Sequence, residues 1–306
     1  MKRIQQVFSR GGRKALIAYL TMGYPDIRTT VEAVPALVDA GCDMVELGIP
    51  FSDPLADGAT IQRAAQAALA GGVTPQRCLE VAGLIRRQVE APLLFMTYYN
   101  PILHYQATEK EESRGVQPLW REHWGCPPDT KSLPPSWPGR EPEGWTKSIS
   151  ARCYGIESFC RECQSAGVDG LIVPDLPPEE GEALEEAARS SALALVYLLS
   201  PSSTPQRVRL VAAHSQGFIY LVSLKGVTGA RNDLPEGLEE FVGRVRKVTD
   251  KPLCVGFGIA TPHQAKRVAA VSDGVIIGSR LVEMLANDGI TATAAFVREV
   301  RRALDG

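Results

Sequence analysis

The sequence predicts an α/β fold: a closed (β/α)8 TIM barrel carrying a long irregular insertion after its third strand. Three observations predict it. Eight short apolar runs recur along the chain, amphipathic stretches lie between them, and the 306 residues approach the size of one such barrel once the insertion is set aside.

Residues 1–14 are short and basic, and the apolar run 15–20 after them reads as the first strand rather than a leader peptide. An amphipathic stretch at 30–40 leads to the second run, 44–48, and a helix starting near Ala59. A further amphipathic stretch at 74–88 precedes the third run, 92–97. Past the insertion, a helix at 157–166 leads to the fourth run, 170–173. Helical patterns at 179–190, 206–214, 238–248 and 263–271 then alternate with runs at 194–199, 217–222, 253–256 and 274–277. Residues 278–286 supply a short extra helix and 291–304 a closing one. Strands that are apolar on both faces and alternate with helices favour a parallel sheet covered by helices. Eight repeats point to a closed barrel rather than an open, doubly wound sheet.

Composition narrows the function. Hydrophobic content of 44% and charged content of 22% are ordinary for a globular protein. A net charge of −2 gives no reason to expect nucleic acid or an anionic membrane as partner. No apolar run approaches the ~20 residues of a membrane helix. Seven scattered cysteines, an odd number, suggest reduced thiols in a cytoplasmic protein.

Residues 107–153 break the rhythm. They hold Pro118, Pro127, Pro128, Pro134, Pro135, Pro138 and Pro142, all four tryptophans (Trp120, Trp124, Trp137 and Trp145) and few aliphatic residues. Such a composition supplies little core, so the segment reads as an irregular or disordered insertion in a single domain spanning 1–306. Without it, His104-Tyr105-Gln106 would run directly into Tyr154-Gly155-Ile156.

The segment from Val45 to Gly58 carries the chemistry. Met44, Val45, Leu47 and Ile49 surround Glu46, and the loop after Pro50 carries Asp53 and Asp57. An ionisable group at the end of an apolar strand is costly unless something uses it. A structural account makes Glu46 a salt-bridged strand end and Asp57 the N-cap of the helix near Ala59. The chemical account gives Glu46 a raised pKa suited to proton transfer, and keeps Asp57 ionised as an acceptor for a substrate N–H.

In these barrels the working residues sit on loops after the strands. Tyr98 and Asn100 follow the third run, Asp175 the fourth, and Lys225 to Gly229 the sixth, with Tyr220 inside the sixth run itself. Gly256-Phe257-Gly258 ends the seventh run and Gly278-Ser279 the eighth, where a helix begins. Glycines on three neighbouring loops, one at a helix N-terminus, suit a phosphate held by backbone N–H groups; tight turns are the alternative for any one of them. Carboxylates and phosphate cradle then face each other across one barrel mouth. Weaker signals are Cys160-Arg161-Glu162-Cys163, which with His123, Cys126 and Cys153 matches no standard zinc spacing, and Lys225 as a Schiff-base former. The four histidines are dispersed, which argues against a metal-dependent aldolase.

At these residues the chain resembles the tryptophan synthase alpha chain family, over nearly its whole length apart from the insertion. The resemblance rests on Leu20 to Pro25, Val45 to Gly58, Asn100-Pro101, Val168 to Pro177, Gly226 to Ala230, Gly256 to Ile259 and Gly278-Ser279. It implies cleavage of indole-3-glycerol phosphate to indole and glyceraldehyde 3-phosphate, without cofactor or metal. By motif, Glu46 would be the acid/base and Asp57 would hold the indole N–H. Gly229, Gly258, Gly278 and Ser279 would bind phosphate, and Thr228 would close a loop by bonding Asp175. Tyr220 would sit beside Glu46, while Tyr19, Met96 and Tyr98 would wall the indole. The resemblance also implies an α2β2 tetramer, with a beta chain that uses pyridoxal phosphate to join indole to serine. The insertion is the departure, because it follows the third strand, where the family's loop helps dock the beta chain. Other readings stand beside this one: a lyase acting alone and releasing indole, a phosphate-sensing barrel without turnover, or a related isomerase or Schiff-base aldolase.

Overall fold

The computed structural model describes residues 2–9, 11–106, 145–222, 237–256 and 258–306, with backbone alone for 145–154. Its strands are β1 (Ala15–Thr21), β2 (Met44–Gly48), β3 (Leu93–Met96), β4 (Gly170–Ile172), β5 (Ala194–Val196), β6 (Leu198–Leu199), β7 (Ile219–Val222), β8 (Leu253–Gly256) and β9 (Gly274–Ile277). Every pairing is parallel, in the order β5-β4-β3-β2-β1-β9-β8-β7-β6. Only Tyr197 separates β5 from β6, so the two ends of that order are consecutive in the chain and the sheet closes. The predicted (β/α)8 TIM barrel is the observed fold. Its fifth strand divides at Tyr197, where pairing passes from β4 to β7 and the Tyr197 N–H donates to Ser215 Oγ at 3.0 Å.

Alternation sorts the side chains into two layers. Ala15, Ile17, Met44, Leu94, Ile172, Val196, Tyr220, Cys254 and Ile276 fill the barrel interior. Leu16, Leu20, Val45, Leu47, Phe95, Leu171, Leu221 and Val255 face the helices. The N-terminal helix Lys2–Phe8 goes unread in the sequence; it inserts Ile4 and Val7 into the inner layer and closes the bottom.

Helix starts follow local chemistry. Thr74, Thr204 and Thr261 each accept a backbone N–H three residues on, and each is followed by proline at the first helical position. Thr261 and Gln264 complete a capping box. Aspartates just before β2, β4 and β9 tie the lower rim. Asp43 accepts the Leu16 N–H at 2.9 Å, Asp169 that of Leu93 at 3.1 Å and Asp273 that of Leu253 at 2.8 Å. Each also holds an arginine: Arg301 on Asp43, Arg86 on Asp169, Arg246 on Asp273. A cleft of about 360 Å³ at this end is lined by Arg3, Arg13, Asp43 and Glu90, whose charges pair with one another or with neighbours. It lies at the face that in such barrels serves stability.

Two readings of the third-strand region change. A short helix, Tyr99–Leu103, follows Tyr98, and the helix read at 157–166 spans Trp145–Ser165, so the last residues of the 107–153 segment are helical. Residues 107–144 lie outside the described residues. The chain on either side of them meets: a Cβ on Gly155 would fall 2.6 Å from the Leu103 carbonyl oxygen, so glycine alone permits that approach. Tyr105 packs edge-on against Phe159 and donates its hydroxyl to Glu162.

Candidate active site

Glu46 points inward from β2 and is fully buried. Neither carboxylate oxygen has a hydrogen-bond partner among the described residues, so it is not a salt-bridged strand end. Burial pushes its pKa up to about 8. Tyr19 of β1 is its register partner, and Tyr220, inward-facing on β7, feels its charge from across the barrel. Both tyrosines are buried, and burial raises both phenols.

Asp57 sits on the loop between β2 and the helix Ala59–Ala70. It does not cap that helix: Gly58 occupies the N-cap, with no side-chain cap bond. The sequence places Asp57 on a polar, ionised loop, yet the structure half-buries it. Desolvation raises its pKa to about 6, against a hydrogen bond from Tyr98 that lowers it. It is therefore mainly ionised at neutral pH, with its titration shifted close to working conditions. Tyr19 and Tyr220 both sense its charge, which puts Glu46, Asp57 and two phenols in one cluster at the upper end of the barrel. Asp53, by contrast, is exposed and accepts from Ser52 at 2.6 Å.

The other expected residues fall as follows. Tyr19 groups with Met96, Ile61, Ala64 and Val282 in an apolar cluster at the mouth. Tyr98 is buried and stacks on Phe51, with ring centroids 5.2 Å apart. Its hydroxyl accepts the Ala56 N–H at 3.0 Å, a contact to the neighbouring loop that sequence reasoning missed. Asp175, exposed at the end of the fourth repeat, accepts the Tyr99 N–H at 2.9 Å. Gly258 has φ of 56° with open space where a Cβ would stand, which leaves its backbone accessible to a ligand. Gly278 is the N-cap of the helix Ser279–Asn287, so Ser279 opens that helix with its free N–H groups. Strands β8 and β9 are neighbours, and β9 is separated from Glu46's strand by β1 alone. Lys225, Thr228, Gly229, His123 and Cys126 lie outside the described residues, as does the Cys153 side chain. Cys160 and Cys163 are buried in the helix core, where desolvation raises both thiols.

The model of the tryptophan synthase alpha chain family matches residues 6–116 and 150–303, leaving a gap inside the segment read as an insertion. The tryptophan synthase alpha chain of Dehalococcoides mccartyi is 45% identical over 306 residues, covering all of both chains. That of Chloroflexus aggregans is 41% identical, covering 100% of this chain and 99% of its own. Among solved structures, tryptophan synthase from M. tuberculosis in an aminoacrylate-bound form superposes with a TM-score of 0.76 at 33% identity, covering 99% of each chain. Tryptophan synthase subunit alpha from Legionella pneumophila gives 0.76 at 30% identity, covering 100% of this chain and 99% of that one.

Proposed function

This chain belongs to the tryptophan synthase alpha chain family, and from that premise we propose that Glu46 and Asp57 perform its chemistry in the barrel mouth. The activity is that of a carbon–carbon lyase in tryptophan biosynthesis. It cleaves indole-3-glycerol phosphate to indole and glyceraldehyde 3-phosphate. The observation that carries the assignment is Glu46: a fully buried carboxyl with no hydrogen-bond partner among the described residues, pointing into the barrel and protonated at neutral pH.

A group with a pKa of about 8 rests as an acid at neutral pH, which suits the first step. Glu46 gives its proton to the indole C3, making that carbon tetrahedral and placing positive charge on the ring nitrogen. Asp57, ionised above about pH 6, accepts the ring N–H and stabilises that charge. The Glu46 carboxylate then takes the proton of the adjacent glycerol hydroxyl. As the new carbonyl forms, the bond from that carbon to C3 breaks and its electron pair restores the aromatic ring. Glu46 ends protonated, ready for the next turnover.

Gly258, Gly278 and Ser279, with Gly229, hold the phosphate; the helix start at Ser279 and the open backbone at Gly258 support that role. Tyr19, Met96 and Tyr98 line the indole side, Tyr220 faces Glu46, and Thr228 with Asp175 closes the mouth. The chain is one domain, 1–306, interrupted at 107–153; the meeting of Leu103 with Gly155 supports the view that the barrel closes without that segment. It works in the cytoplasm as the alpha subunit beside a beta chain. Neither a free-standing lyase nor a non-catalytic sensor is favoured by any feature of the site. Steady-state indole release from indole-3-glycerol phosphate, measured with and without a beta chain, tests the proposal. Release that rises with the beta chain supports it, and no release under either condition refutes it.

A further inference from the structure

Resting on the reading of Asp57 above, we infer that Tyr98 is a positioning residue of the lyase: its hydroxyl aims and charges the Asp57 carboxylate. Tyr98 lies two residues beyond the end of β3 and is the N-cap of the helix Tyr99–Leu103. Its ring is held against Phe51, which opens the loop carrying Asp57, with ring centroids 5.2 Å apart and planes 29° apart. Its oxygen accepts the N–H of Ala56, the residue before Asp57, at 3.0 Å. A phenol that accepts one N–H has its own proton left to give, and the Asp57 carboxylate stands within its reach.

The Asp57 backbone is fixed separately, its N–H on the Pro54 carbonyl at 3.1 Å and its carbonyl on Gln62 Nε2 at 2.9 Å. Tyr98 therefore sets the one remaining freedom, where the carboxylate points. The next residue, Tyr99, gives its N–H to Asp175. Two consecutive tyrosines thus join the loops after β2, β3 and β4 along one side of the mouth.

Among the described residues, the titratable groups in the cluster with Asp57 are Tyr98, Tyr19 of β1, Tyr220 of β7 and Glu46 of β2, with Asp175 beyond Tyr98. None is a cation, so among the described residues the Tyr98 hydroxyl is the group that offsets desolvation and keeps Asp57 ionised. An indole wall would need only the ring. The hydroxyl adds a second task, holding the charge that the reacting ring nitrogen meets.

Tyr98→Phe separates the two tasks, since the ring and its stacking remain. The experiment is the pH profile of kcat/KM for indole release by the full chain with its beta chain, for wild type, Tyr98→Phe, Asp57→Asn and the double variant. The expected result is that Tyr98→Phe moves the acid limb upward by about one pH unit, the order of a charge-assisted hydrogen bond. With the limb starting near pH 6, activity then falls roughly fivefold at pH 6 and by only about a tenth at pH 8. In the Asp57→Asn background the same change should alter kcat/KM by less than about twofold. Should Tyr98→Phe raise KM alone and leave the acid limb in place while Asp57→Asn is impaired, the inference about Tyr98 is overturned and the function stands. Full activity in Asp57→Asn would overturn both.

Discussion

Replacing Glu46 with glutamine should stabilise the protein while destroying its activity. The carboxyl titrates near pH 8 in the folded chain and near 4.5 as a free side chain. A carboxylate raised in this way favours the folded state only while it stays protonated. The sign follows: stability is unaffected below about pH 4.5, falls as pH rises from 4.5 to 8, and is flat above. At pH 7 the unfolded chain is ionised and the folded chain mostly is not, a mismatch of about 2.5 pH units. At ~1.4 kcal/mol per unit this costs about 3 kcal/mol, rising to about 5 kcal/mol at pH 9. Glutamine has nearly the shape and polarity of the protonated acid and carries no such penalty. Urea unfolding at pH 4.5, 7 and 9 measures the difference directly. Glu46→Gln should match wild type at pH 4.5, exceed it by roughly 3 kcal/mol at pH 7, and by more at pH 9. Parallel curves at all three pH values would refute the reasoning, because they would mean that Glu46 has found a partner or water in the fold. This is the trade of stability for function expected where a buried charge is kept for chemistry.

Other outcomes follow from the same geometry. Asp57→Asn should lower kcat/KM by about 10²-fold or more, the scale of one lost electrostatic stabiliser, with little change in urea midpoint. Asp43→Ala should destabilise the barrel by about 3 kcal/mol, since it takes the buried carboxylate from Arg301, which keeps only the Lys14 carbonyl and Asp305, and leaves the Leu16 N–H without its acceptor, while indole release at low temperature persists. Replacing residues 107–153 with a short Gly/Ser linker should leave cooperative unfolding within about 1 kcal/mol of wild type. It should also remove all tryptophan emission, because no tryptophan lies elsewhere; loss of the unfolding transition would show that the barrel depends on the segment.

What was readable in the sequence was what neighbouring residues decide. The apolar runs became strands within a residue or two, and the helical stretches read at 74–88, 206–214 and 263–271 begin at Thr-Pro caps within two residues of those starts, because both depend on local chemistry. Glu46 was readable as a costly acid in an apolar strand, and among the described residues it has no hydrogen-bond partner. What stayed hidden depends on partners distant in sequence. The helix Lys2–Phe8 is too short and basic to announce itself, yet Ile4 packs beneath Gly170 and Gly217. The break at Tyr197 reflects a change of strand neighbour that no local pattern records. Asp57 was readable as an ionised acceptor on a loop, but not its raised pKa, because its desolvation and its contact with Tyr98 come from parts of the chain distant in sequence. The aspartates before β2, β4 and β9 went unread, because their role depends on arginines far away in the chain that close on them.

The central claim is that Glu46 moves the protons of the lyase reaction. It is tested most directly by single-turnover indole formation from indole-3-glycerol phosphate with Glu46→Gln, alongside binding of glyceraldehyde 3-phosphate to the same protein. Indole formation should fall by about 10³-fold or more, since the proton-transfer group is gone, while phosphate-ligand affinity stays within a few-fold. Indole formation within tenfold of wild type, in a protein that binds the ligand normally, would contradict it.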